Sequence, residues 1–157
     1  MEYIIRPLDE TEYSVLESFL YEALFVPDGV PAPSRDIIRQ PDLQVYLEGF
    51  GSRMGDAALC AVYGGRIVGA VWGRIMNDYG HIDDETPSLA ISLYKEHRGK
   101  GIGTGLMRGI IRTYGEIGYK RLSLAVQKAN YAVKMYEKVG FRKVSENEEE
   151  YIMLYNG

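Results

Sequence analysis

Leu93-Tyr94-Lys95-Glu96-His97-Arg98-Gly99-Lys100-Gly101-Ile102-Gly103-Thr104-Gly105 decides how this chain is read. The run joins a strand-like segment, Ser88 to Tyr94, to a helical one that starts at Ile102 and reaches about Ile117. Glycines at such a junction let consecutive backbone N–H groups turn towards one point, with no Cβ in the way. The helix start adds unpaired donors and a partial positive charge, and Arg98 and Lys100 add full charges. Together they suit a diphosphate or another phosphate group. A purely structural tight turn also fits the string, so the string alone leaves both open. The order Gly-x-x-x-x-Gly-Lys-Ser/Thr is absent, and the spacing Gly101-x-Gly103-x-Gly105 is not Gly-x-Gly-x-x-Gly. A nucleotide-phosphate binding protein using the same turn remains a rival reading.

Downstream, Ile102, Leu106, Ile110, Met107, Ile111 and Tyr114 make one broad apolar helix face, and Gly118 stops the helix. Arg121 to Gln127 reads as a strand, Asn130 to Val139 as a helix closed by Gly140, and Phe141–Val144 with Tyr151–Tyr155 as a final hairpin. Upstream, Tyr3 to Pro7 reads as a first strand. Asp9 and Glu12 form a capping arrangement before a helix carrying Val15, Leu16, Phe19, Leu20, Ala23 and Leu24. Pro27 to Pro33 is a loop, and a second helix is expected over Asp42 to Phe50. Ala57–Tyr63 and Arg66–Ile75 are strands joined by a hairpin turn at Gly64-Gly65. The hairpin demands antiparallel pairing, and the strand–helix–strand unit from Ser88 to Gln127 demands a parallel pair. The expected fold is α/β: one domain with a mixed sheet of about six or seven strands and helices on both faces.

The bulk numbers agree with a single domain. The chain has 157 residues, 46% hydrophobic and 25% charged, which suits one packed core and excludes a disordered tail protein. Its one cysteine, Cys60, sits in an apolar run and reads as a buried structural thiol rather than a nucleophile. It allows no internal disulfide, and no metal site is expected. With no leader pattern read at the N-terminus, the expected setting is cytoplasmic. No apolar run approaches membrane-spanning length, so no membrane partner is expected. The net charge of −4 argues against nucleic acid as a partner. Residues 1–85 carry 6 Lys and Arg against 15 Asp and Glu, whereas residues 86–157 carry 12 against 7. A basic half beside an acidic half suits an anionic cofactor facing a cationic substrate, although two such halves can also interleave in space. C-terminal edge strands leave a monomer or a homodimer open.

The segment Arg98-Gly99-Lys100-Gly101-Ile102-Gly103 resembles the Gln/Arg-x-x-Gly-x-Gly/Ala hallmark of the GNAT superfamily of N-acetyltransferases. A second block, Asn130-Tyr131-Ala132-Val133-Lys134-Met135-Tyr136-Glu137-Lys138-Val139-Gly140-Phe141, is similar to that family's Asn, short Tyr-bearing helix and Gly-Phe. The resemblance implies a GNAT-like, mostly antiparallel sheet whose central parallel pair is splayed. It implies an acetyl-CoA-dependent N-acetyltransferase over residues 1–157, with 86–144 as the cofactor-binding core and 9–50 and 76–87 as acceptor-site segments. The acetyl group would pass to a primary amine by direct attack in a ternary complex, the acceptor being a small-molecule or peptide amine of cationic character. A non-catalytic acyl-CoA binding or sensing domain of the same fold is the alternative.

The resemblance also implies roles for single residues. The diphosphate of coenzyme A would lie on the main chain of Arg98, Gly99, Lys100, Gly101, Ile102, Gly103 and Thr104. Its pantetheine arm would bond the backbone at Leu93 and Tyr94, where main-chain donors would polarise the thioester carbonyl. Lys95 stands where the family often has Pro. Asn130 would contact the arm, or cap its helix. Tyr136 would bind the cofactor and act as general acid to the departing thiolate, or be a core aromatic. The family fixes no base for the amine. In the segment before the fourth strand, His81, Asp83 and Glu85 are the substrate-binding candidates, and Glu22 and Glu48 on the early helices could hold a cationic amine.

Overall fold

The computed structural model describes residues 2–157. The hairpin expected at Gly64-Gly65 sets the first register. Both glycines take left-handed φ values, 59° and 77°, which suit a tight turn between twisted strands. They join β2 (Ala57–Tyr63) to β3 (Arg66–Arg74), with Tyr63 opposite Arg66. β1 (Ile4–Pro7) pairs with β2 at the sheet edge, where Pro7 is tolerated. β4 (Ser88–Leu93) lies antiparallel to β3 and parallel to β5 (Arg121–Gln127). β7 (Glu150–Asn156) follows β5, and β6 (Arg142–Glu146) closes the far edge, giving one seven-stranded sheet in the order β1-β2-β3-β4-β5-β7-β6.

One face of the sheet carries α3 (Ile102–Glu116) and α4 (Ala132–Lys138). The expected apolar face of α3 is realised: Leu106, Met107, Ile110 and Tyr114 are buried against Leu59, Val71, Leu122 and Met153. The other face carries α1 (Leu16–Ala23), whose Leu16, Phe19 and Leu20 pack with Cys60 and Trp72. Burial raises the Cys60 thiol pKa, as expected of a structural thiol. The Asp9–Glu12 capping box forms ahead of α1, with the Asp9 N–H donating to Glu12 Oε1 at 2.9 Å.

One expected helix is largely missing. The apolar positions in Asp42–Phe50 predict a continuous helix, but α2 covers only Pro41–Gln44 and turns follow. Side chains on β3 claim the carbonyls of that stretch. Arg74 Nη1 donates to Val45 O at 3.2 Å and Glu48 O at 2.7 Å, and Trp72 Nε1 donates to Tyr46 O at 3.2 Å. Arg74 is fully buried and forms a bidentate pair with Asp56, at 3.0 and 2.9 Å. Tertiary bonds to a buried guanidinium outweigh the local helical pattern here.

Candidate active site

β4 and β5 pair through a single register position, Ser88 opposite Ser123, at the start of both strands. Beyond it they separate towards Leu93, and the gap opens into a cavity of about 840 Å³. Three walls define it: the C-terminal half of β4, the glycine turn with the start of α3, and Asn130 with α4. The last residues of α1, from Tyr21, and the segment after it to Pro33 form the roof.

At the cavity's mouth, the turn from β4 to α3 holds Gly99 and Gly101 at φ 75° and 83°. A side chain would strain either residue, whereas glycine lets the peptide units turn. The N–H groups of Gly99, Lys100, Gly101, Ile102, Gly103 and Thr104 have no hydrogen-bond partner among the described residues; the next one, of Gly105, donates to Gly101 O at 3.2 Å. Of these residues Gly99, Gly101, Gly103 and Thr104 line the cavity and Lys100 and Ile102 do not; free donors at a helix N-terminus suit an anion. The Ile102 side chain is buried in the core, so its contribution is its amide.

The strand wall departs from expectation at Tyr94. Its N–H donates to Val68 O on the β3 side at 3.0 Å, and its ring packs at 4.9 Å from Phe19. Backbone groups alternate along a strand. Leu93 and Ile91 therefore turn theirs into the gap, and Ile91, missing from the expected set, lines the cavity with Leu93. Counting two residues back from Leu93 would have found it. The Leu93 carbonyl is engaged: Arg98 Nε donates to it at 2.9 Å, and Arg98 Nη2 lies 3.5 Å from Glu22 Oε2. The Arg98 side chain thus ties the turn to β4 and to the root of the roof segment.

Tyr136 lines the cavity from α4. It is buried, yet its hydroxyl has no hydrogen-bond partner among the described residues and is not sealed from solvent access. Burial pushes its phenol up to about 12. Its ring packs in the core 6.3 Å from Phe141, while the residue also lines the cavity. Asn130 also lines the cavity, and its Oδ1 accepts the Ala132 N–H at 2.9 Å, capping the helix start. Tyr131 and Met135 complete that wall.

His81, Asp83 and Glu85 are not brought to this cavity. They sit at the closed end of the β4–β5 pair, where Asp83 and Glu85 approach Arg121 Nη2 at 2.9 and 3.7 Å. Bonds from Thr86 Oγ1 and the Glu85 N–H, with Arg121 nearby, lower the Asp83 carboxyl pKa. His81 Nδ1 lies 2.9 Å from Met76 O. The structural reason is the strand direction: the loop before β4 meets the start of the strand, and the cavity lies at its end. Glu48 is exposed away from the cavity, whereas Glu22 lines it. His97, next to the turn in sequence, points elsewhere and meets Tyr3 Oη at 3.1 Å. Among the described residues no cluster of three or more His, Cys, Asp or Glu gathers as a metal site.

Comparison with known proteins gives the same frame. A curated, uncharacterised N-acetyltransferase of Bacillus subtilis is 35% identical over 74 residues, covering 46% of this chain and 28% of that protein. The chain therefore matches less than a third of that relative's length. A second uncharacterised N-acetyltransferase, from Methanocaldococcus jannaschii, is 29% identical over 117 residues, covering 73% of this chain and 71% of its own. In structure, the chain is similar to a GNAT-family acetyltransferase of Streptococcus pneumoniae, with a TM-score of 0.71 at 22% identity over 99% of this chain and 100% of the other. It is also similar to the PaiA N-acetyltransferase of Thermoplasma acidophilum, solved in complex with coenzyme A, with a TM-score of 0.72 at 17% identity over 100% of both chains. Both share the fold. Residues 20–141 match the acetyltransferase (GNAT) family. That stretch runs from the second half of α1 through α4, so every wall of the cavity lies inside it, and the chain belongs to the GNAT family of acetyltransferases.

Proposed function

We propose that this protein is an acetyl-CoA-dependent N-acetyltransferase that passes an acetyl group to a primary amine by direct attack in a ternary complex. The observation that carries the reading is the row of N–H groups from Gly99 to Thr104, unpartnered among the described residues, four of whose residues (Gly99, Gly101, Gly103 and Thr104) line a cavity running into the β4–β5 gap. The residues present fit coenzyme A: a diphosphate needs such a row of donors, and an extended amide-bearing arm needs an unpaired strand edge. Coenzyme A also occupies the Thermoplasma relative of the same fold. When bound, acetyl-CoA supplies an activated acyl group as a thioester.

This chain's residues then divide the work. The Gly99–Thr104 amides, with Arg98 and Lys100 nearby, hold the diphosphate. The Leu93 and Ile91 backbone groups flank the arm, and the Leu93 N–H faces the gap where a thioester carbonyl would need a donor. Asn130, whose Oδ1 is occupied by capping, has its amide N–H groups for the arm. Tyr136 would give its phenolic proton to the departing thiolate and recover one from the amine nitrogen as the amide forms; with a pKa held near 12, the phenol is protonated throughout the working pH range. No nucleophile is required, because fixed orientation of the two substrates replaces a random encounter. Cytoplasmic residence accords with the buried free thiol of Cys60. No helix among the described residues is long and apolar enough to cross a membrane.

Calorimetric titration with acetyl-CoA, followed by thiol-release assays with an amine panel, tests the reading. Binding at micromolar concentration with amine-dependent thiol release is expected. Binding without turnover of any amine would favour the non-catalytic sensing domain, and a response to ATP but not acetyl-CoA would favour the nucleotide rival.

A further inference from the structure

The charge imbalance along the sequence suggests a cationic acceptor without saying how many charges it carries. The cavity narrows this. Its lining carboxylates are Glu22 and Asp28, and its lining cations are Lys95 and Arg98. A polycation entering here would meet as many like charges as opposite ones, and its surplus ammonium groups would be desolvated without partners.

The roof is built differently. Leu24, Phe25, Val26, Val30 and Pro33 all line the cavity, and Leu24, Phe25 and Val26 are half-buried in a segment with no helix or strand. Glu22, at the root of this segment, is half-buried too. Its carboxylate meets Arg98 through one contact of 3.5 Å, longer than the usual charge-assisted bond of about 2.7–2.9 Å. Most of its lone-pair sites are therefore open to another donor.

We propose that the acceptor is a monoamine with an apolar aliphatic or aromatic body, seated under residues 24–33 with its ammonium on Glu22. The inference rests on the N-acetyltransferase reading and specifies the acceptor half of the same cavity. Of the two lining carboxylates, Asp28 is exposed and Glu22 half-buried, so one partly desolvated carboxylate matches one ammonium, and the roof removes the apolar body from water. The ammonium must give up one proton, to Glu22 or to water, before the free amine attacks the thioester.

The test uses the full chain with acetyl-CoA and four acceptors: 2-phenylethylamine, hexylamine, spermidine and kanamycin. The two apolar monoamines are expected to exceed the other two in kcat/KM by about tenfold or more. Glu22→Gln should raise the KM for 2-phenylethylamine about tenfold, and Phe25→Ser about fivefold, with the acetyl-CoA Kd within about twofold of the parent in both. A preference for spermidine or kanamycin would overturn the inference and leave the acetyltransferase reading standing. A Phe25→Ser or Glu22→Gln variant that weakens acetyl-CoA binding more than it raises the amine KM would also overturn it, since the roof would then serve the cofactor. Bound acetyl-CoA with no turnover of any amine would remove the enzyme reading and this inference together.

Discussion

The two ends of the β4–β5 pair are built on opposite principles. At the closed end, side chains satisfy one another. Ser88 Oγ donates to Asp78 Oδ1 at 2.9 Å, Tyr46 Oη donates to Asp78 Oδ2 at 2.9 Å, and Ser123 Oγ donates to Gly80 O at 2.8 Å. Arg74, paired in register with Ser88, is saturated by Asp56 and two carbonyls. At the open end, backbone groups stay unmatched: the turn amides and the gap-facing Leu93 N–H of β4, the Leu93 carbonyl being held by Arg98. Gly99, Lys100 and Gly101 are exposed, so water can serve their amides at little cost and an anion can replace it, whereas the closed end leaves its side chains no such exchange. The contrast also explains why the acidic loop before β4, despite its inviting composition, lies apart from the cavity.

The largest expected effect comes from breaking the closed end. Arg74→Met leaves the Asp56 carboxylate, 1% exposed, without its partner. Removing one member of a buried pair costs about 3–5 kcal/mol, to be read from urea unfolding. The acetyl-CoA affinity of the folded protein should not change. A loss below about 1 kcal/mol would mean the pair is not the closed end's anchor. Next in size is the open end. Tyr136→Phe should lower kcat about 100-fold, equivalent to ~2.7 kcal/mol, at unchanged acetyl-CoA Kd. Unchanged kcat would take the acid role away from this residue. The pH dependence follows from the raised pKa. Folding favours the protonated phenol, so its contribution to stability is complete below the ordinary value of about 10 and is lost as pH climbs towards about 12. Below pH 10 the kcat profile should therefore show no alkaline limb from Tyr136.

The comparison also divides what was legible in the sequence from what was not. Local signals were readable because their causes are local: the Gly64-Gly65 turn, the Asp9–Glu12 box, the apolar face of α3 and the glycine spacing at 99–103 each depend on residues a few positions apart. Within the site, the glycine turn and Tyr136, both read from local motifs, line the cavity. Features that depend on partners distant in sequence were not readable. The 42–50 pattern predicts a helix, but Arg74 and Trp72, about 26 to 29 residues away, hold its carbonyls. Motif spacing puts Tyr94 in the gap because it does not give the parity of hydrogen bonding along β4, which the β3 register sets. Glu22 meets Arg98 across 76 residues, and no periodicity reports such a pairing.

A smaller effect is expected at the turn. Gly101→Val places a β-branched residue at φ 83°, where strain is about 1–3 kcal/mol. Its ideal Cβ meets nothing within 4 Å, so packing does not resist the change and the strain must be relieved by rotating the peptide units. The acetyl-CoA Kd should rise about tenfold, with a modest fall in Tm. A Kd unchanged in a folded Gly101→Val protein would show that the row of amides is not the anchor.

The finest distinction lies in the serine pair at the hinge between the two ends. Ser88 Oγ and Ser123 Oγ lie 3.3 Å apart, yet each hydroxyl has a single proton. Ser88 spends its proton on Asp78 and Ser123 on Gly80 O, so the short approach between the two hydroxyls is not itself a hydrogen bond. Ser123→Ala should then remove one bond, to a backbone carbonyl, and cost about 0.5–1.5 kcal/mol. Ser88→Ala removes a bond to a carboxylate and should cost more, about 1.5–3 kcal/mol. Equal losses in urea unfolding would mean that the serines share a proton and act as one unit. Neither variant should change the acetyl-CoA Kd if the backbone pairing at this position, rather than the hydroxyls, fixes where the strands part. A Kd that rises in step with the stability loss would instead make the closed end part of the binding machinery, and the two ends would no longer be independent.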